Sequence, residues 1–381
     1  MASIETIERN DSKTGPLAAR LMRPQPGARV VRSFAEAREI LRSENMVQGG
    51  IGGDVTVDAS QLSVFFLDGE LHRRRRAAIA RYFTPKAIAT RYRAVMEAST
   101  EELIGAVRRT GRARLDEISF QLAVNVAAEI VGLTNSNRVG MARRIYNTLS
   151  NGVAGRSDGF VSRTSHMVLA VVHAISFYLF DVFPAVRARR KNRGEDVISH
   201  LIDEKYSIKA MLLECLTYAG AGMLPTREFI VVAAWHLFEQ DALRKRFLDA
   251  GEEEQIALLE EILRIEPVAS VLHRKPADGS GAVCALDIRS ANTDEAVTGP
   301  CPHMIDPDRA RRMRVSGSYL SFGDGKHRCP GAQVALQESR IFLDRLLRVP
   351  GLRLEQAPEL IWQPELMSYE LRNAVVTCER A

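Results

Sequence analysis

The ten residues Phe322-Gly323-Asp324-Gly325-Lys326-His327-Arg328-Cys329-Pro330-Gly331 constrain this chain more than any other stretch. Two glycines one residue apart permit a tight turn and let the backbone approach a flat partner closely. Cys329 follows them, and from Ala332 to Leu347 the apolar spacing is that of a helix. A thiol just ahead of a helix N-terminus is favoured as thiolate by the exposed amides there. Gly331 opens that helix without side-chain crowding. The segment therefore reads as a thiol carried on a glycine turn ahead of a helix. For a lone cysteine an inert buried thiol is the better reading, but Phe322, Gly325, Cys329 and Gly331 stand at fixed spacing together.

Helical periodicity dominates the remainder of the 381 residues. Ser33 caps a helix over 34–41, and Thr84 with Pro85 starts one running towards Val107. Further helices are predicted over 118–131, 167–190, 208–240 and 255–265, and short strands over 283–288 and 371–378. No repeat or long linker divides the chain. The expectation is one mainly α domain with a small β-sheet region over 1–381, residues 1–20 forming a flexible N-terminal segment. The most apolar run, 167–183, is broken by His173, Ser176 and Asp181. It is read as a core or channel-lining helix, not as a membrane span. The N-terminal residues lack the pattern of a secretory signal and the five cysteines show no paired spacing, so a reducing cytoplasm is expected. The formal charge of +5 is scattered over amphipathic segments, which argues against nucleic acid. The dense clusters at 72–76 and 187–193 read as solvated helix faces.

The pattern F-x-x-G-x-x-x-C-x-G, met in full by Phe322, Gly325, Cys329 and Gly331, resembles the haem-binding segment of the cytochrome P450 superfamily in its soluble bacterial form. The resemblance implies haem b with Cys329 as the axial thiolate on iron, a ligand that promotes O–O cleavage. Glu261-Ile262-Leu263-Arg264 resembles the family's E-x-x-R, a structural pair three apart on one helix face. His72 and Arg76, Arg274, and His327 match the family's propionate-binding positions in order, and Phe322 and Gly323 belong to the same cofactor-binding loop. Arg73, Arg74 and Arg75 would then offer a docking face to an acidic electron donor such as a ferredoxin with its reductase.

The chain departs from the family in two places. Ala221-Gly222-Met223-Leu224-Pro225-Thr226 resembles the oxygen-side motif A-G-x-[DE]-T, yet Leu224 stands where the acid belongs and Pro225 where the alcohol belongs. Neither relays a proton. Pro225 is expected to kink the helix and free the Ala221 carbonyl for an ordered water, at a cost of about 3 kcal/mol, while Thr226 lies about 100° further round the helix and is a poor direct substitute unless the kink re-aims it. The catalytic face is thus expected at Ala221, Gly222, Pro225 and Thr226. After Arg274, residues 275–281 run quickly into the next strand, where relatives carry a longer two-strand segment. The stretch 267–272 is small and apolar apart from Ser270, which suits a hydrophobic small molecule.

With no flavin or nicotinamide signature, electrons come from NAD(P)H through separate proteins. The resemblance implies a monooxygenase acting on a small, largely hydrophobic molecule in secondary-metabolite biosynthesis. Two alternatives are kept open. One is coupling, ring closure, desaturation, or peroxide- or nitric-oxide-dependent chemistry, favoured by Leu224-Pro225. The other is a non-catalytic haem-binding accessory protein.

Overall fold

The computed structural model describes residues 10–50, 62–154, 160–363 and 367–380. Its contacts group into two compact units, each assembled from separated stretches of chain.

The first unit comprises Met1–Gly53, Val232–Cys329 and Pro358–Arg372. Its main sheet has four strands in the order Arg29–Val31, Cys284–Asp287, Val271–Pro276 and Met46–Gln48. The first pair is parallel and the others antiparallel. Helix Phe34–Arg42 buries Ala37, Ile40 and Leu41 against Val31, Leu286 and Leu320 of this unit's core. The shortened connection after Arg274 leaves that register intact, because Gly279 and Gly281 turn the chain at positive φ. Strands Glu359–Gln363 and Ser368–Arg372 form a separate hairpin.

Residues 11–20, expected within a flexible segment, are instead tied down. Helix Gly15–Leu21 follows Ser12, Lys13 and Thr14, all three of which donate hydrogen bonds to the buried carboxylate of Glu266. A fully buried carboxylate demands such donors, and these residues supply them. Residues 1–9 lie outside the described residues.

The second unit comprises Asp54–Val231, Pro330–Ala357 and Asn373–Ala381. Helices Arg93–Thr110 and Leu115–Val131 end at Gly111 and Gly132, whose left-handed φ of 71° and 94° closes them. Helix Ala332–Leu347 runs over its predicted span. A three-stranded sheet orders Arg112–Arg114, Val375–Thr377 and Arg353–Gln356. The single strand expected over 371–378 is split at Asn373, which adopts φ 60°, so its halves pair in different units.

Three of the long predicted helices contain a π turn, at Ile88–Tyr92, Tyr178–Val182 and Ala219–Met223. A second correction concerns the run read as a core or channel-lining helix, whose core alternative the burial overturns. It forms helix Phe160–Phe177, the π turn and helix Phe183–Lys191, and most of its large apolar side chains face outward. By length and composition Thr164–Lys191 could cross a membrane, with only 17% of its most apolar window buried.

Candidate functional site

In the first unit the cysteine loop is a locked turn. Gly323 and Gly325 adopt φ 67° and 64°, and the Cys329 amide donates to the Phe322 carbonyl at 2.8 Å. A side chain at Gly325 would bring its Cβ to 2.4 Å from the Leu41 carbonyl oxygen, so the loop packs backbone to backbone on helix Phe34–Arg42. Asp324 accepts from Arg42 Nε at 2.8 Å and Arg38 Nε at 3.2 Å. Burial works against its charge, but those two guanidiniums and the Gly325 amide hold it below the usual carboxylate range. Cys329 is half-buried and forms no disulfide.

Two of the expected cofactor-binding residues converge in this unit. Arg274 is buried in strand Val271–Pro276 and donates to Gln48 Oε1 at 2.6 Å and to the His273 carbonyl at 2.8 Å. Gln48 Nε2 lies 3.5 Å from His327 Nδ1, so one amide links both residues. Gln48 escaped the sequence reading, since nothing short-range marks it. The neighbouring His273 Nε2 is buried without a hydrogen-bond partner, and burial, then the charge of Arg274, lowers its pKa. Behind the loop, Glu261 holds Arg264 by both oxygens at 2.8 and 2.9 Å. It also accepts from Arg309 Nε at 3.0 Å. Arg309, missed in the sequence, donates to the carbonyls of Thr298, Pro300, Cys301 and Met304. The stretch 267–272 is stapled by Ser368 Oγ to the Val268 carbonyl, Ser270 bonds the Pro267 carbonyl, and Val268, Ser270 and Val271 are buried.

In the second unit His72 and Arg76 lie one turn apart on helix Gly69–Ala80, His72 buried and Arg76 part-buried. Arg76 lies near enough to Tyr218 to oppose the rise that burial imposes on its phenol, whose oxygen is buried without a partner. The docking face expected at Arg73–Arg75 is partly committed elsewhere. Arg73 pairs with Glu70, and Arg75 donates to the Leu62 carbonyl and stacks over Tyr206.

The helix predicted over 208–240 is Ile208–Tyr218, the π turn Ala219–Met223, and Leu224–Glu239. The break falls ahead of Pro225, where the expected kink is absorbed as a widened turn. Between the buried Ala219 and Met223, Ala221 and Gly222 are exposed, and a Cβ on Gly222 would meet nothing within 4 Å. This part of the helix wall is open and carries no side chain larger than a methyl at those two positions. Thr226 is buried and its hydroxyl donates to the Gly222 carbonyl at 2.7 Å. The same hydroxyl is hydrogen-bonded to Glu338 of helix Ala332–Leu347. Burial drives the Glu338 carboxyl well above its ordinary range, more than the Thr226 contact offsets, and its Oε2 is buried without a hydrogen-bond partner.

These residues suit a flat iron cofactor with acidic arms. In the first unit a half-buried thiol on a locked turn, with Arg274 and His327 joined through Gln48, suits such a group, and in the second unit His72 and Arg76 taken by themselves offer it basic partners.

The model of the family Cytochrome P450 matches residues 257–359. The cytochrome P450 monooxygenase PikC of Streptomyces venezuelae is 28% identical over 337 residues, covering 82% of this chain and 75% of its own. Nocardicin C N-oxygenase of Nocardia uniformis subsp. tsuyamanensis is 26% identical over 322 residues, with coverages of 78% and 75%. Among solved structures, CalO2 superposes with a TM-score of 0.78 at 22% identity over 96% of both chains.

Proposed function

Because this chain belongs to the cytochrome P450 family, we propose that it is a monooxygenase taking a small, largely hydrophobic substrate in secondary-metabolite biosynthesis, with Cys329 as the ligand to haem iron. The monooxygenase class and the haem cofactor follow from the relatives, which sets aside the accessory-protein reading. Bound haem supplies oxygen activation at an iron held by a sulfur donor. Cys329 offers that donor, and its own amide, spent on Phe322, keeps the turn closed around it. Arg274 and His327, joined through Gln48, and His72 with Arg76 would hold the two carboxylates. Electrons would come from a separate acidic donor such as a ferredoxin, and the protein would work in the cytoplasm.

Proton supply is assigned to Glu338 and Thr226 in place of the absent acid and alcohol at 224 and 225. A hydroxyl has one proton to give. Thr226 gives it to the Gly222 carbonyl, and the Glu338 carboxyl, its pKa raised by burial, stands beside that hydroxyl, one side chain from the open Ala221-Gly222 face. Leu224-Pro225 also supports peroxide-dependent chemistry as a second reading, because hydrogen peroxide brings the two protons that dioxygen would need delivered.

The observation that carries the proposal is the locked turn presenting a half-buried thiol. The test is the carbon-monoxide difference spectrum of the dithionite-reduced protein with its haem content. The red-shifted Soret band of a thiolate complex, lost in Cys329→Ala or Cys329→His, is expected. A neutral-ligand spectrum in the wild type would refute it.

A further inference from the structure

The outward face of Thr164–Lys191 reverses the usual polarity of a surface helix. From Thr164 to Phe183 its only Asp, Glu, Lys or Arg is Asp181, and that residue points inward, fully buried. Asp181 accepts from Arg144 Nε and Nη2 at 2.6 and 2.7 Å. This paired anchor fixes the helix about its axis. Meanwhile Met167, Val168, Val171, Val172, Ile175 and Phe180 stand roughly half exposed. A charge-free hydrocarbon strip over some sixteen residues is about 24 Å long. Solvated monomers rarely keep such a surface bare.

The strip ends in a second feature. A groove of about 290 Å³ lies beside it, with Phe183, Val186 and Ile208 in its walls and Arg187, Arg190 and Lys191 around it. Phe183 belongs to both strip and groove, and the three cations, at spacings of three and four, share one side of the helix. Hydrocarbon walls with adjoining cations match an acyl chain bearing an anionic head. A free fatty acid would need the groove alone. The strip running on from it matches a lipid surface, against which a helix lies in plane with its cations reaching the head groups.

We propose that helix Thr164–Lys191 docks this protein onto the surface of an anionic phospholipid bilayer, the strip entering the acyl boundary and Arg187, Arg190 and Lys191 engaging lipid phosphates. The inward ion pair and the packing of the helix against Arg138–Ala154 set the contact as peripheral, not spanning.

The experiment is co-sedimentation of the full-length, haem-loaded protein with vesicles of phosphatidylcholine mixed with phosphatidylglycerol, and of phosphatidylcholine alone. Binding to the mixed vesicles and release by high salt are expected. Arg187→Glu/Arg190→Glu/Lys191→Glu should lower partitioning by about 100-fold or more. Val171→Ser/Ile175→Ser/Leu179→Ser should abolish it while keeping the carbon-monoxide spectrum, since these side chains are exposed. The proposal would be overturned by no binding of the wild type to mixed vesicles; by equal binding to both vesicle types, unmoved by charge reversal; or by a dimer in light scattering, dissolved by the serine variant, without vesicle binding. Saturable decanoate binding in the groove without vesicle binding would overturn it in favour of a soluble ligand.

Discussion

Gly325 shows how one residue type becomes obligatory. Its φ of 64° strains any L side chain, and an added methyl would also strike the Leu41 carbonyl. Gly279 has a similar φ of 73° but open space around it. Gly279→Ala should therefore cost about 1 kcal/mol of strain, and Gly325→Ala about 2–4 kcal/mol, with loss of haem retention. Urea midpoints and haem content per chain measure both, and equal effects would mean that the contact with Leu41 yields freely. Arg309 makes a parallel case. It shares Glu261 with Arg264 and satisfies four carbonyls, work a single ammonium cannot repeat. Arg309→Met should destabilise by about 3–5 kcal/mol, and Arg309→Lys should recover only part of the urea midpoint.

Helix Ile208–Tyr218 and its continuation illustrate what an element adds to its residues. Pro225 removes an amide donor, yet the π turn before it opens the helix wall where Ala221 and Gly222 face empty space. The same turn leaves Thr226 pointing at the Gly222 carbonyl and at Glu338. Glu338→Gln should lower product formed per electron consumed by about 10-fold, with the difference appearing as hydrogen peroxide. Infrared spectra of the wild type should carry a protonated-carboxyl band that Glu338→Gln removes and Thr226→Val shifts. A band insensitive to both variants would disconnect these residues. Leu224→Asp/Pro225→Thr, which restores the usual pair, should change both turnover and peroxide release, and the two readouts staying fixed would show that the pair is not missed.

At the scale of the whole molecule, acid stability turns on Glu266. Burial alone would raise its pKa, but the His236 hydrogen bond, the charges of Arg289 and His236, and the Thr14 hydroxyl bring it from 4.5 to about 2. The unfolded chain therefore takes up this proton first as pH falls. The resulting stabilisation, on the order of 3 kcal/mol, is complete above about pH 4.5 and is lost on descending towards pH 2. Urea midpoints recorded over that interval should fall for the wild type and run nearly flat for Glu266→Gln. Parallel slopes would assign the acid lability to other carboxylates. Because Glu266 also binds Ser12, Lys13 and Thr14, the same protonation should expose the N-terminal residues to proteolysis.

The sequence by itself determined the thiol and its turn, the helical class, the Glu261–Arg264 pair and the missing acid and alcohol. Each is a short-range pattern, written within a few residues by backbone geometry and helical spacing. Tertiary structure alone decided which distant residues meet: Gln48 between Arg274 and His327, Arg309 against Glu261, Glu338 beside Thr226, and Thr14 on Glu266. It also decided that the apolar helix after residue 164 faces outward. Hydropathy measures how strongly a segment avoids water and carries no direction, whereas the Arg144–Asp181 pair turns the single charge inward and leaves the hydrocarbon outside.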